Sequence, residues 1–158
     1  MTDSVESALE ALRRQQTVRG LLETACRELT EGLDASACMI SRVVGDLLVS
    51  LVEFSRSDRA PGIGHEYLIP DYPLTQEVIT SGEPRAVSLE DEAPDEDEAA
   101  LLRELGFQSL LMVCLPSGGS CWGLVEIYGE SKSFDDGQAV IAAEIAVEAG
   151  RQLERFTD

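Results

Sequence analysis

Two pairs of strand-like runs, each joined by a short connection, constrain this chain more than any other feature. Ala37 to Val44 and Leu47 to Ser55 are rich in apolar and β-branched residues, and only Gly45-Asp46 lies between them. A tight turn between such runs implies an antiparallel hairpin, because parallel neighbours need a long crossover. Ser109 to Leu115 and Trp122 to Tyr128 repeat the arrangement across Pro116-Ser117-Gly118-Gly119-Ser120, a hairpin loop by composition. The run Leu110 to Leu115 is apolar at every position, which makes it a strand buried on both faces and central in its sheet.

Helical patterns surround these hairpins. From Ser4 to Gly32, Val5, Leu9 and Leu12 form one stripe, and Val18, Leu22, Ala25 and Leu29 form a second. Gln15-Gln16 interrupts the rhythm, and Gly20 suits a bend. Residues 1–17 are therefore expected to project as an extension, with residues 18–156 forming one domain. Leu74 to Ser81 and Glu98 to Leu105 are short helices stopped by Gly82 and Gly106, and Arg85 to Leu89 is a short strand. The last helix has a legible start: Asp135 as N-cap, Gln138 completing a capping box, and Phe134 as a staple. Small residues Ala139, Ala142, Ala143, Ala146, Ala149 and Gly150 let that helix lie close to a sheet or another helix. Hairpins in place of crossovers give an α+β fold with a mainly antiparallel sheet of five to six strands.

A net charge of −18 repels nucleic-acid phosphates and anionic lipid, and no cluster of Lys and Arg offsets it. No nucleic-acid or membrane partner is expected. No apolar run reaches the roughly 18 residues of a membrane helix, and the N-terminus lacks a secretion pattern, so the chain is expected in the cytoplasm. The acidic stretch Glu90 to Glu98 lacks the ligand spacing and turn glycine of a calcium loop and is taken as a solvated loop running into a helix. Four cysteines, none in Cys-x-x-Cys spacing, and one histidine leave no zinc pattern, so no metal is expected.

Several stretches together resemble the GAF domain family. They are Asp71-Tyr72-Pro73-Leu74, Val78-Ile79-Thr80-Ser81-Gly82-Glu83-Pro84, Leu101 through Val113, Gly123-Leu124-Val125-Glu126-Ile127-Tyr128 and Ser133-Phe134-Asp135. The resemblance covers roughly residues 18–155 and rests on the order and spacing of the pieces. It departs from the common pattern at Cys114, where many relatives carry proline. The resemblance implies a GAF- or PAS-like sheet with N- and C-terminal helices on one face and loops and short helices on the other. It further implies a small-molecule pocket between sheet and loops, and a homodimer joined through the terminal helices that signals to an effector protein. The familiar ligands of the family do not match here. Only Phe134-Asp135 echoes the cyclic-nucleotide signature, no cysteine neighbours a histidine for bilin attachment, and a haem would depend on His65. The cofactor is left unknown.

Candidate site residues follow. The long loop 56–73 offers His65, Tyr67 and Tyr72 as a pocket lid, or else as ordinary cover for one end of the sheet. Phe107, Met112 and Trp122 are pocket candidates, with filling the core as the alternative and, for Trp122, the commoner use. Cys114 and Cys121 flank the second hairpin loop, as a candidate redox pair or as two small buried side chains. Val5, Leu9 and Leu12 form a stripe that wants a partner, either a second copy or the C-terminal helix. No nucleophile with a base beside it is legible, so a non-catalytic sensor is expected. A ligand-free interaction module is the alternative, and a thiol-based redox protein a remote one.

Overall fold

A computed structural model describes residues 2–61, 66–130 and 133–156. The elements run α1 (Thr2–Arg13), α2 (Val18–Gly32), β1 (Ala37–Val44), β2 (Leu47–Ser55), β3 (Glu66–Leu68), a 3-10 turn (Ile69–Asp71), α3 (Pro73–Ser81), β4 (Arg85–Ser88), α4 (Glu96–Leu105), β5 (Ser109–Ser117), β6 (Ser120–Gly129) and α5 (Asp136–Leu153). Both hairpins form, and β1 pairs antiparallel with β6 from Ala37↔Tyr128 to Arg42↔Gly123, fusing them into one sheet. The strand order is β3-β2-β1-β6-β5-β4, and every pairing is antiparallel. β5 lies between β6 and β4, and its first seven residues are buried.

Period-2 alternation divides the interior into two layers. Cys38, Ile40, Leu111, Val113, Val125 and Ile127 point to one face, where they pack against Leu12 of α1, Leu22 and Leu29 of α2, and Ile145 and Ala149 of α5. Ala37, Met39, Leu110, Met112, Leu124 and Tyr128 point to the other, against Val78 of α3, Leu102 of α4, Ile69 and Phe107. The terminal helices therefore share one face, and the short helices cover the other. Local chemistry sets the helix ends. Asp135 accepts from the Gln138 amide at 2.8 Å while the Gln138 side chain accepts from the Asp135 amide at 2.9 Å, the expected capping box. Gly82 and Gly106 close α3 and α4 in the left-handed conformation.

Two departures bear on function. The N-terminal segment does not project. The chain breaks after Arg13, Thr17 caps α2 by accepting from the Gly20 amide, and α1 folds back so that Ala8 and Leu12 are buried against the same domain. The bend lies at residues 14–17, not at Gly20, because Thr17 offers an N-cap that Gly20 lacks. Second, the β5–β6 register shifts between Leu115↔Gly123 and Pro116↔Cys121, which makes Trp122 the extra residue of a bulge. No described helix is long and apolar enough to cross a membrane.

Candidate functional site

The face of the sheet opposite the terminal helices carries a small polar cavity. Its floor is Met39, Glu126 and Tyr128 on β1 and β6, and its walls include Leu48, Tyr67, Ile69, Tyr72, Thr75, Glu98 and Leu101. The floor is a consequence of register. Met39 and Met112 are the two cross-strand partners of Glu126, so a carboxyl sits between two thioethers in the middle of the sheet. The cavity measures about 10 Å³, room for about one water molecule. Tyr67 and Tyr72 close it from the outside, edge to face with ring centroids 5.8 Å apart.

Two carboxyl groups face this space from deep within the protein. Glu98, on α4, is 1% exposed and accepts a hydrogen bond from the Thr75 hydroxyl at 2.5 Å. Glu126 is 4% exposed and meets the Tyr128 hydroxyl at 3.2 Å. Burial pushes Glu98 up to about 7, with Asp95 and Asp97 adding to the rise and the Thr75 hydrogen bond opposing it. Burial pushes Glu126 up to about 8, with the charge of Glu98 adding and the Tyr128 hydroxyl opposing. Raised in this way, the two carboxyls hold protons more readily than exposed glutamates, and a protonated carboxyl can donate a hydrogen bond as well as accept one. On the same sheet face, Ser41 and Ser50 stand opposite each other across β1 and β2, both buried, and their hydroxyls have no partner among the described residues. Among the described residues no cluster of His, Cys, Asp and Glu could hold a metal ion.

The residues singled out from sequence fall in different places. Tyr67 and Tyr72 line the cavity. Met112 lies one layer beneath it, its sulfur 3.4 Å from the Thr75 hydroxyl. Phe107 packs on Tyr128 with ring centroids 4.9 Å apart. Trp122 is on the other face of the sheet, with the Arg42 guanidinium 4.6 Å above its ring, because the bulge reverses the alternation that would have turned it toward Leu124 and Glu126. His65 lies outside the described residues. Cys114 and Cys121 are joined in a disulfide with Cα atoms 5.8 Å apart. Leu12 is fully buried in its own domain, while Leu9 and Val5 are partly covered.

Sequence reasoning passed over Glu98 and Glu126. Glu98 hides in an acidic run that reads as solvated, although the helix it opens turns it inward beside Ala99 and Leu102. Glu126 carried a usable signal: an acid at an inward position of an otherwise apolar strand, between Leu124 and Tyr128.

A second concavity runs along the outside of the terminal helices. Leu9 and Arg13 of α1 and Val140, Ala143, Glu144 and Val147 of α5 line a groove of about 740 Å³. Val140 and Val147 are 59% and 42% exposed and place two apolar side chains on the outer face of α5. The groove's inner edge is held by Glu148. Its buried carboxylate accepts from Arg151 at 2.7 Å, Gln152 at 2.6 Å and Arg13 at 3.5 Å, tying α1 to α5. Burial alone would raise this carboxyl, but those hydrogen bonds outweigh it and hold Glu148 below the usual carboxylate range.

Among solved structures, this architecture matches phytochrome domains. The phycoerythrobilin-bound GAF domain from a cyanobacterial phytochrome superposes with a TM-score of 0.83 at 14% identity, covering 98% of this chain and 97% of that one. The chromophore-binding domain of Stigmatella aurantiaca bacteriophytochrome, in a mutant form, gives 0.81 at 17% identity, covering 97% of this chain. The chromophore-binding domain of an unusual bacteriophytochrome from R. palustris gives 0.81 at 12% identity, covering 98% of this chain and 61% of that one. This chain spans 59% of the Stigmatella structure. At these identities the likeness is one of fold. No curated protein matches the sequence. The sequence profile of the GAF domain matches residues 17–153, nearly all of the chain, and the protein therefore belongs to the GAF domain family.

Proposed function

We propose that this GAF domain is a non-catalytic cytoplasmic sensor that admits a small molecule between the sheet and the segment 66–72. It reports the event through the α1–α5 face of a homodimer to an effector protein. The observation that carries the reading is the pair Glu98 and Glu126. Two carboxyls buried on one cavity are costly unless something offsets their desolvation, and groups perturbed in this way cluster at functional sites. The unpartnered hydroxyls of Ser41 and Ser50 on the same face add further polar capacity. A ligand that brings positive charge or hydrogen-bond donors suits this lining.

Admission requires movement. A tetrapyrrole the size of the phycoerythrobilin held by the cyanobacterial neighbour has no room in about 10 Å³. The covering segment suits such movement, since β3 is a three-residue strand on the sheet edge. A ligand that stabilises the lifted segment shifts the population toward it.

The small cavity also favours a second reading, a ligand-free dimerisation module whose pocket face has become core. Thermal unfolding in the presence of amines, guanidines, nucleotides and tetrapyrroles separates the two. The sensor reading predicts that at least one compound raises Tm in the wild type and not in Glu126→Leu. Equal responses in both proteins, or none across the panel, support the module.

A further inference from the structure

The disulfide is the feature that the proposed ligand site leaves unused. We propose that Cys114 and Cys121 form a reversible thiol switch that sets the bulge at Trp122 and, through Pro116, the seat of the C-terminal half of α5.

Three observations lead there. The bond is a local staple within one hairpin. It spans a separation of seven residues, and that short loop is already closed by the pairings Pro116↔Cys121 and Ser117↔Ser120. Closing so short a loop removes less entropy from the unfolded chain than a long-range bond would. The bond is also selective. Cys26 and Cys38 lie in hydrogen-bonding contact, yet both are free thiols, fully buried between α2 and β1. The bonded pair is the one solvent reaches: Cys114 is 8% exposed and Cys121 is half-buried beside the hairpin turn. Finally, the bond is mechanically connected. It straddles the bulge that turns Trp122 onto the helical face. The adjoining Pro116 carbonyl sits so close to α5 that a Cβ on Gly150 would overlap it, and the Ser117 hydroxyl donates to the Gly150 carbonyl at 3.1 Å. A change in the bulge therefore has a direct path into α5.

The chemistry is exchange with a small-molecule disulfide such as oxidised glutathione. The Cys121 thiol loses its proton, and its sulfur attacks the reagent, breaking the reagent's S–S bond and expelling one thiolate. The Cys114 thiolate then attacks Cys121 Sγ in the mixed disulfide, forming the Cys114–Cys121 bond and expelling the second thiolate. The domain gives up two electrons and two protons, and the reagent leaves as two thiols. Cys121 is the entry point because it is the more exposed of the two.

The sequence contains one tryptophan, so Trp122 reports on the bulge without a label. The folded full chain is equilibrated in glutathione buffers of rising reduced fraction, with peptide mass, tryptophan emission and amide hydrogen exchange followed together. The switch predicts that the peptide carrying Cys114 and Cys121 gains two hydrogen atoms reversibly while the domain stays folded. It predicts a shift of the Trp122 emission over the same buffer range and a loss of exchange protection in α5 around Gly150. A Cys114→Ser, Cys121→Ser variant should show the reduced-state emission in every buffer; should it fail to fold, the wild-type titration alone decides. A bond that yields only when the domain unfolds overturns the proposal. So does reduction that leaves either the Trp122 emission or the α5 protection unchanged.

Discussion

At the scale of single residues, three buried glutamates set the pH dependence of stability, Glu98 and Glu126 in one direction and Glu148 in the other. Glu126 is raised on folding, so the native state holds a proton that the unfolded chain gives up above about 4.5. Its contribution is therefore fully present below about 4.5 and is lost as pH rises through about 8. Glu98 acts with the same sign up to about 7. Glu126→Gln removes the charge but keeps the shape. Thermal unfolding should show it more stable than the wild type at pH 8 and close to it at pH 5, with each 1 kcal/mol worth about 2–4 °C in a domain of this size. A wild-type Tm that does not fall between those pH values would contradict the assignment. Glu148 is lowered on folding, so its contribution is present above 4.5 and lost as pH falls through the still lower folded value. Glu148→Ala removes hydrogen bonds from two arginines and a glutamine and should cost about 1–3 kcal/mol in denaturant unfolding at pH 7.

Elements are where prediction from sequence succeeded most and where its failures are informative. The hairpin at Gly45-Asp46, the helix stops at Gly82 and Gly106 and the capping box at Asp135 are local devices, each written in a few adjacent residues. The bulge is a different kind of feature. Nothing in Ser120 to Tyr128 announces an extra residue, and simple alternation puts Trp122 on the face of Glu126; the shift appears only against the partner strand. The fold-back of α1 is equally silent, because Gln15-Gln16-Thr17 marks a break without a direction. The candidate site was half legible, since Tyr67 and Tyr72 came from loop chemistry while the paired carboxyls needed two elements brought together. Two substitutions probe this scale. Leu12→Ala should cost about 2–5 kcal/mol, independent of protein concentration, because the leucine fills its own domain's core. Gly150→Ala gains about 1 kcal/mol of helix propensity, but its Cβ would overlap the Pro116 backbone carbonyl, at a cost of about 3 kcal/mol or more, so calorimetry should find a net loss.

At the scale of the whole molecule, the sheet separates two layers of different composition. The helical layer is large, apolar and closed by Glu148, and it leaves Val140 and Val147 outward on α5. The opposite layer is thinner, covered by short elements, and holds the buried carboxyls. β1 and β6 belong to both, since alternate residues of each strand face the two layers. A change at Met39, Glu126 or Tyr128 is thus one residue away from Ile40, Val125 and Ile127, which support α2 and α5. That adjacency is the path on which the proposed coupling of cavity to helix face relies.

Native mass spectrometry of the wild-type chain and Glu126→Leu, each purified without denaturation from its source organism, tests the central claim most directly. The account predicts a wild-type dimer carrying a bound mass that the variant lacks. Bare chains in both proteins, or the same bound mass in both, would contradict it.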